Sequence, residues 1–325
     1  MVTPFDGDGK LDLDEAARLA RWLVDQGNEG LVIAGTTGEA PTLDDDEHLA
    51  LIDAVVRAVD VPVVAGTGGN DTAHSIHMTR EATALGAAGV LVVGPYYNRP
   101  SQAGLDAHFR AVAAATDLPV VVYDIPVRTG RKIATDTLLA LAHEVPNIVA
   151  LKDAAGSPAD TARVVAGAPE GFEVYSGDDV LTLPLLAVGA VGVIGVATHW
   201  TGVDHQEMFD LWHKGDPMGA RQVNARFPRG HLYIVPERGH ASELYFPFTS
   251  PATPRMGMDA PNSAGSDAPK SSAQSFTSGS RAAGTSNRYA SILGASKHRT
   301  AVERPTPRGS KPTTSKADAS SSPTA

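Results

Sequence analysis

A chain of 325 residues with 42% hydrophobic and 20% charged residues has enough apolar material for one large α/β barrel or two smaller domains. The absence of cysteine excludes a disulfide framework, a thiolate nucleophile and a cysteine-ligated metal. The net charge of −10 is unevenly spread: residues 227–325 carry 12 Lys+Arg against 6 Asp+Glu, net +6, and residues 1–226 carry 15 against 31, net −16. Such an acidic body repels nucleic acid and anionic membrane surfaces, so small molecules are the expected partners.

Met1 leads into Val2-Thr3-Pro4-Phe5-Asp6, which lacks the basic flank and apolar stretch of a signal peptide. No apolar run reaches membrane-spanning length, and the expected location is the cytoplasm. From residue 1 to about 215, short β-branched runs alternate with amphipathic stretches. The expected strands are Val2–Phe5, Gly30–Ala34, Val61–Ala65, Val90–Val93, Pro119–Tyr123, Ile148–Lys152, Glu173–Ser176 and Val191–Val196. The helices between them include Asp14–Gln26, Asp44–Val59, Thr72–Leu85, Leu105–Ala115, Thr135–His143, Ala159–Val165, Val180–Ala187 and Asp204–His213. Acidic and hydroxyl N-caps such as Asp44 and Asp71, and glycine stops such as Gly27 and Gly86, punctuate them. Eight strand–helix units make a parallel sheet, either closed as a barrel or open and doubly wound. From about Phe227 the pattern is lost, and Ser, Thr, Pro, Ala, Gly and Arg dominate. Such composition rarely supports a packed core, so the expectation is a catalytic domain over 1–226 and a largely disordered low-complexity tail over 227–325. The tail reads either as a shifted frame of a GC-rich gene or as a genuine basic extension.

Barrel enzymes place their chemistry at the C-terminal strand ends. Gly30–Ala34 runs into Gly35-Thr36-Thr37-Gly38-Glu39, a loop able to hold a carboxylate or pass a proton, or simply a glycine-rich turn. Val90–Val93 leads to Tyr96-Tyr97-Asn98-Arg99-Pro100, whose tyrosines either pack or deliver a phenol. In Pro119–Tyr123, period-two alternation sets Val121 and Tyr123 on one face and Val120 and Val122 on the other. Tyr123 suits acid–base work, and Arg128 in the following loop offers a planar fork for a carboxylate. Alternation also gives Ile148, Ala150 and Lys152 a common face. A lysine in an apolar strand is costly unless paired or neutralised, and a neutral amine attacks ketones to form an imine; the other reading is an outward Lys152 paired with a helix carboxylate. Gly66-Thr67-Gly68-Gly69 lacks the lysine of a P-loop and reads as a tight turn. His74 and His77 lie on one helix as solvated residues, and Asp178 reads as a helix cap.

Taken together, the motifs GTTGE at 35–39, YYNRP at 96–100, YDIPVRTG at 123–130, LKDA at 151–154, YSGDD at 175–179 and GAVGVIGV at 189–196 resemble the dihydrodipicolinate synthase/N-acetylneuraminate lyase family, over residues 1 to about 226. The resemblance implies a (β/α)₈ barrel, a small helical C-terminal domain that this chain's tail does not match, a homotetramer, and no metal or organic cofactor. It implies that Lys152 forms an imine with pyruvate and that Tyr123 moves protons. Thr36 links Tyr123 to Tyr97, which is donated across a dimer interface. Thr36 and Thr37 hold the pyruvate carboxylate, Ile194 contacts pyruvate through its backbone, and Arg128 binds the carboxylate of L-aspartate 4-semialdehyde. Thr36-Thr37 and Arg128 favour the synthase branch over sialic acid lyases; other sugar-acid aldolases, such as those of 2-keto-3-deoxy sugar acids, share Lys152 and Tyr123 and stay open as an alternative. A catalytically silent barrel and an impaired, truncated product are the remaining readings. Feedback-sensitive relatives carry an acidic residue where His74 stands, with His48 and Tyr96 at matching positions, so weak inhibition by lysine is expected.

Overall fold

A computed structural model of the chain describes residues 1–227. In chain order the elements are α1 (Leu13–Asp25), β1 (Leu31–Ile33), α2 (Asp45–Ala58), β2 (Val63–Gly66), α3 (Thr72–Ala84), β3 (Gly89–Val93), α4 (Gln102–Ala113), β4 (Val120–Asp124), α5 (Pro126–Thr129), α6 (Thr135–Glu144), β5 (Ile148–Asp153), α7 (Pro158–Gly167), β6 (Glu173–Ser176), α8 (Thr182–Leu186), β7 (Gly192–Val193), α9 (Thr198–His213) and α10 (Pro217–Asn224). The strands are parallel and neighbour one another in sequence order from β1 to β7, the curled wall of a (β/α)₈ barrel. Side chains cap the helices as their sequences suggest. Asp44 and Glu47 form a reciprocal capping box on α2, and Asp71 accepts from Ala73 and His74 at the start of α3.

Two expectations change. The first expected strand, Val2–Phe5, does not join the sheet. Met1 donates its amino group to the Val32 carbonyl at 2.7 Å, Val2 donates its N–H to His199 Nε2 at 3.1 Å, and Phe5 bridges Leu11. The segment thus lies between the two ends of the sheet without a ladder, and Pro4, which has no N–H, removes one of the few donors available. The second change is in β5. Val120 pairs with Ile148 but Val121 pairs with Ala150, so Val149 is an extra residue. A bulge shifts the alternation by one. Ile148 therefore packs outward with Val120, Val122 and Leu151 against the helices, while Ala150 faces inward with Val121 and Tyr123. Ile148 does not share the face of Ala150 and Lys152.

Val64, Leu91, Val121, Tyr123, Ile125 and Ala150 fill the inside of the wall, and larger clusters lie between sheet and helices. The last described residue, Phe227, stacks on the His205 ring at 4.3 Å. The remainder of the 227–325 segment, with its expected disorder, lies outside the described residues. Among the described residues no helix is long and apolar enough to cross a membrane.

Candidate active site

The β4–β5 register sets Tyr123 directly beside Lys152, and β6 sets Tyr175 on its other side. The Lys152 ammonium nitrogen lies 4.3 Å from the centroid of the Tyr123 ring. Lys152 is half-buried, and so reachable, yet enough protein surrounds the amine to push its pKa down to about 8. Loss of solvation is the chief cause; the negative charge of Asp179 opposes it and the Arg128 guanidinium adds to it. An amine in that range is neutral often enough near physiological pH to act as a nucleophile. Burial drives the Tyr123 phenol the other way, up to about 12, with Arg128 opposing and Asp178 assisting. Tyr123 therefore stays protonated, a donor at rest. Gly177 makes room for the lysine: a Cβ there would stand 3.1 Å from both Cγ and Cε of Lys152 and 2.9 Å from the Ala154 Cβ.

Each of these two residues is followed by a buried aspartate, which sequence reasoning did not single out. Asp124 accepts from Lys132 Nζ and from the Ile133 N–H, both at 3.2 Å. Asp153 accepts from Thr161 Oγ1 at 2.6 Å and from the Ala155 N–H at 2.9 Å. These contacts pin the loops that leave the ends of β4 and β5. Burial raises the Asp124 carboxyl above its ordinary range, an effect that Lys132 offsets. The repeat of Tyr-Asp and Lys-Asp at consecutive strand ends is the signal that could have revealed them.

The other expected residues lie apart from this pair. Tyr97, at φ 70° and 89% exposed, and Arg128, exposed on α5, line with Arg99, Val127, Thr129 and Gly130 a cavity of about 480 Å³. Lys152 and Tyr123 do not line it, but the Arg128 charge acts on both. Thr36 and Thr37 form a single tight turn after β1, with Thr36 exposed. Among the described residues no hydrogen bond joins Thr36 to Tyr123 or Tyr97. Ile194 follows β7 and extends its pattern by one bond, its N–H donating to Ser176 at 2.9 Å. Asp178 is a cap, accepting from the Val180 N–H. Among the described residues no group of three or more His, Asp or Glu is arranged to hold a metal.

Residues 1–234 match the model of the dihydrodipicolinate synthetase family. The chain belongs to that family. The match ends eight residues past the point, 226, where the motif resemblance stops. A 4-hydroxy-tetrahydrodipicolinate synthase of Moorella thermoacetica is 54% identical over 226 residues, 69% of this chain and 77% of the relative. Among solved structures, a dihydrodipicolinate synthase of Bacillus anthracis aligns with TM-score 0.68 at 45% identity, covering 69% of this chain and 77% of that one. The enzyme of Cyanidioschyzon merolae with lysine bound aligns with TM-score 0.69 at 43% identity, covering 70% and 78%. Members of the family are pyruvate-dependent lyases that form a Schiff base on a lysine. In this chain the Lys152 amine lies against the Tyr123 ring, with the Arg128 charge acting on both.

Proposed function

We propose that this chain condenses pyruvate with L-aspartate 4-semialdehyde, the activity for which its relatives are named. The observation that carries the reading is the Lys152 amine, turned inward by the β5 bulge, set over Tyr123 and held near pKa 8. The neutral amine attacks the pyruvate carbonyl, and loss of water leaves an imine. The imine draws electrons from the adjacent methyl group, which loses a proton to give an enamine. The enamine carbon then attacks the aldehyde carbon of the semialdehyde. Tyr123 supplies and recovers protons, with Thr36 and Tyr97 completing the relay. Thr36 and Thr37 hold the pyruvate carboxylate, the Ile194 backbone contacts pyruvate, and Arg128 takes the semialdehyde carboxylate at the rim.

In this reading Tyr97 reaches its place from a second copy in a homotetramer, as its exposure in the single chain favours. Residues 1–226 form the catalytic domain, ahead of a separate segment over 227–325. The protein acts in the cytoplasm, and lysine is a weak inhibitor. The test is incubation with pyruvate and borohydride, followed by peptide mass analysis. A reduced pyruvyl adduct on Lys152 is expected; labelling elsewhere, or none on folded protein, would overturn the mechanism. Faster turnover of sialic acid or a 2-keto-3-deoxy sugar acid than of the semialdehyde would move the chain to another branch of the family.

A further inference from the structure

Asp179 has no role among the residues assigned so far, yet it joins the turn after β6, whose Gly177 lies against Lys152, to the segment after β7. It lies in the short turn between β6 and α8. Its carboxylate accepts from the Val196 N–H at 3.2 and 3.1 Å and from the Ala197 N–H at 3.0 Å, where the chain passes from β7 into α9. The contact has been given space: a Cβ on Gly195 would stand 2.0 Å from Asp179 Oδ1. Gly195 has no left-handed backbone to explain it, so close approach is the constraint on that position. The clamped segment begins immediately after Ile194. On the amine's side, Asp179 acts electrostatically on Lys152 without a direct ion pair.

We propose that Asp179 is a positioning residue of the imine-forming site, clamping the Ile194–Ala197 segment against the β6 turn and keeping a fixed negative charge toward the Lys152 amine. The proposal rests on the pyruvate-imine reading. The two duties converge on one step. The clamp fixes the backbone beside which pyruvate sits, and the charge favours the positively charged iminium that the amine becomes. Among the described residues, other groups placed by Lys152 are Tyr123 of β4, whose ring lies against the amine, Tyr175 of β6, its register partner, Arg128 of α5 and the Met1 amino group, itself held down to about 5 by burial. Asp179 is the acidic one in this set, and it also faces His205 of α9. Because its charge raises the Lys152 pKa, removing that charge must lower it.

The test compares the full-length protein with Asp179→Asn, measuring pyruvate trapping on Lys152 by cyanoborohydride as a function of pH, and KM for pyruvate. Asn keeps the size, loses the charge and can accept with only one atom. The midpoint of the trapping profile should fall from about 8 by about one pH unit, the order of effect of one charge removed in a protein interior. KM for pyruvate should rise about tenfold, as expected when a fixed backbone contact is loosened. An unmoved or higher midpoint overturns the proposal. Gly195→Ala separates the duties and serves if the first variant does not fold. It displaces the carboxylate from the Val196 and Ala197 N–H groups but keeps its charge, so KM should rise while the midpoint moves less than in Asp179→Asn. An unchanged KM overturns the clamp. If wild-type protein shows no adduct on Lys152, the functional reading fails instead, and that result is distinct from any shift between variants.

Discussion

In the proposed reading, the inner wall at β4–β5 and the rim formed by residues 96–100 and 126–130 contribute to one site by opposite means. On the wall, Tyr123 is 6% exposed, its neighbour is fixed by strand register, and both titrations are displaced mainly by loss of solvent. On the rim, Tyr97 is 89% and Val127 86% exposed, and the backbone at Tyr97 and Arg99 is left-handed. In that reading the sheet prepares the nucleophile within one chain. The rim presents groups that stand exposed among the described residues. The first half-reaction, imine formation, should depend on the wall, and selection of the second substrate on the rim.

The largest test of that division is on the wall. Lys152→Arg should abolish pyruvate trapping, because a guanidinium stays protonated; trapping that persists at another lysine would show that the wall does not hold the nucleophile. Lys152→Met should abolish activity too while making the fold more stable. The folded pKa of about 8 lies below the ordinary 10.5, so the unfolded chain binds the extra proton between those values. The lysine therefore costs stability in full below about pH 8, and the cost fades as pH rises through 10.5. At neutral pH the methionine variant should gain about 1–3 kcal/mol in denaturant unfolding. A loss there would mean the amine is not strained by burial.

Next in size is the partner on the same wall. Tyr123→Phe should slow trapping and turnover by roughly a hundredfold or more, the usual contribution of a positioned proton donor. Thermal stability should barely change, because the ring and its packing remain. Equal activity would leave the phenol a packing residue.

The rim should show smaller and more selective effects. Arg128→Ala should raise KM for the semialdehyde by roughly tenfold and leave pyruvate trapping on Lys152 nearly intact. The figure is kept low because the guanidinium is exposed and water competes for its partner. Equal impairment of both steps would show that Arg128 serves the wall as much as the rim, through the charge it already exerts on Lys152 and Tyr123.

The same contrast explains what could be read from sequence. Tyr123 and Lys152 stood out because a polar group at the end of a Val-rich run is costly unless used, and burial follows a period of two. The face of Ile148 did not follow that period, because the bulge at Val149 arises from pairing with β4 and leaves no mark in β5 alone. The first strand failed for a related reason: Val2–Phe5 has strand composition, but a ladder needs neighbours and donors. The rim motifs YYNRP and PVRTG gave only open alternatives from their residues, and family resemblance chose between them, since exposed loops carry no periodicity. Asp179 passed unnoticed because its partners, the N–H groups of Val196 and Ala197, are backbone groups distant in sequence.

The smallest expected effect lies on the outer side, at the start of α3. Here His74 Nε2 pairs with Asp45 Oδ1 at 2.8 Å on the exposed surface, and His48 Nε2 contacts the Gly66 carbonyl at 2.8 Å. Burial holds the His48 ring below its ordinary pKa, so it adds no lasting charge at neutral pH. A lysine ammonium needs a free negative charge, but Asp45 is already engaged and His74 supplies none. Lysine should therefore inhibit the wild-type enzyme weakly. His74→Glu releases Asp45 and adds a second carboxylate, so the inhibitory concentration should fall by roughly fivefold to tenfold, the effect of one partly screened charge. Pyruvate trapping on Lys152 in the absence of lysine should not change, since the His74 side chain is exposed on the outer surface. The measurement is a lysine dose–response for both proteins at fixed pyruvate. Strong inhibition of the wild type at sub-millimolar lysine, on the order of ordinary metabolite affinities, would show that Asp45 serves despite its histidine partner.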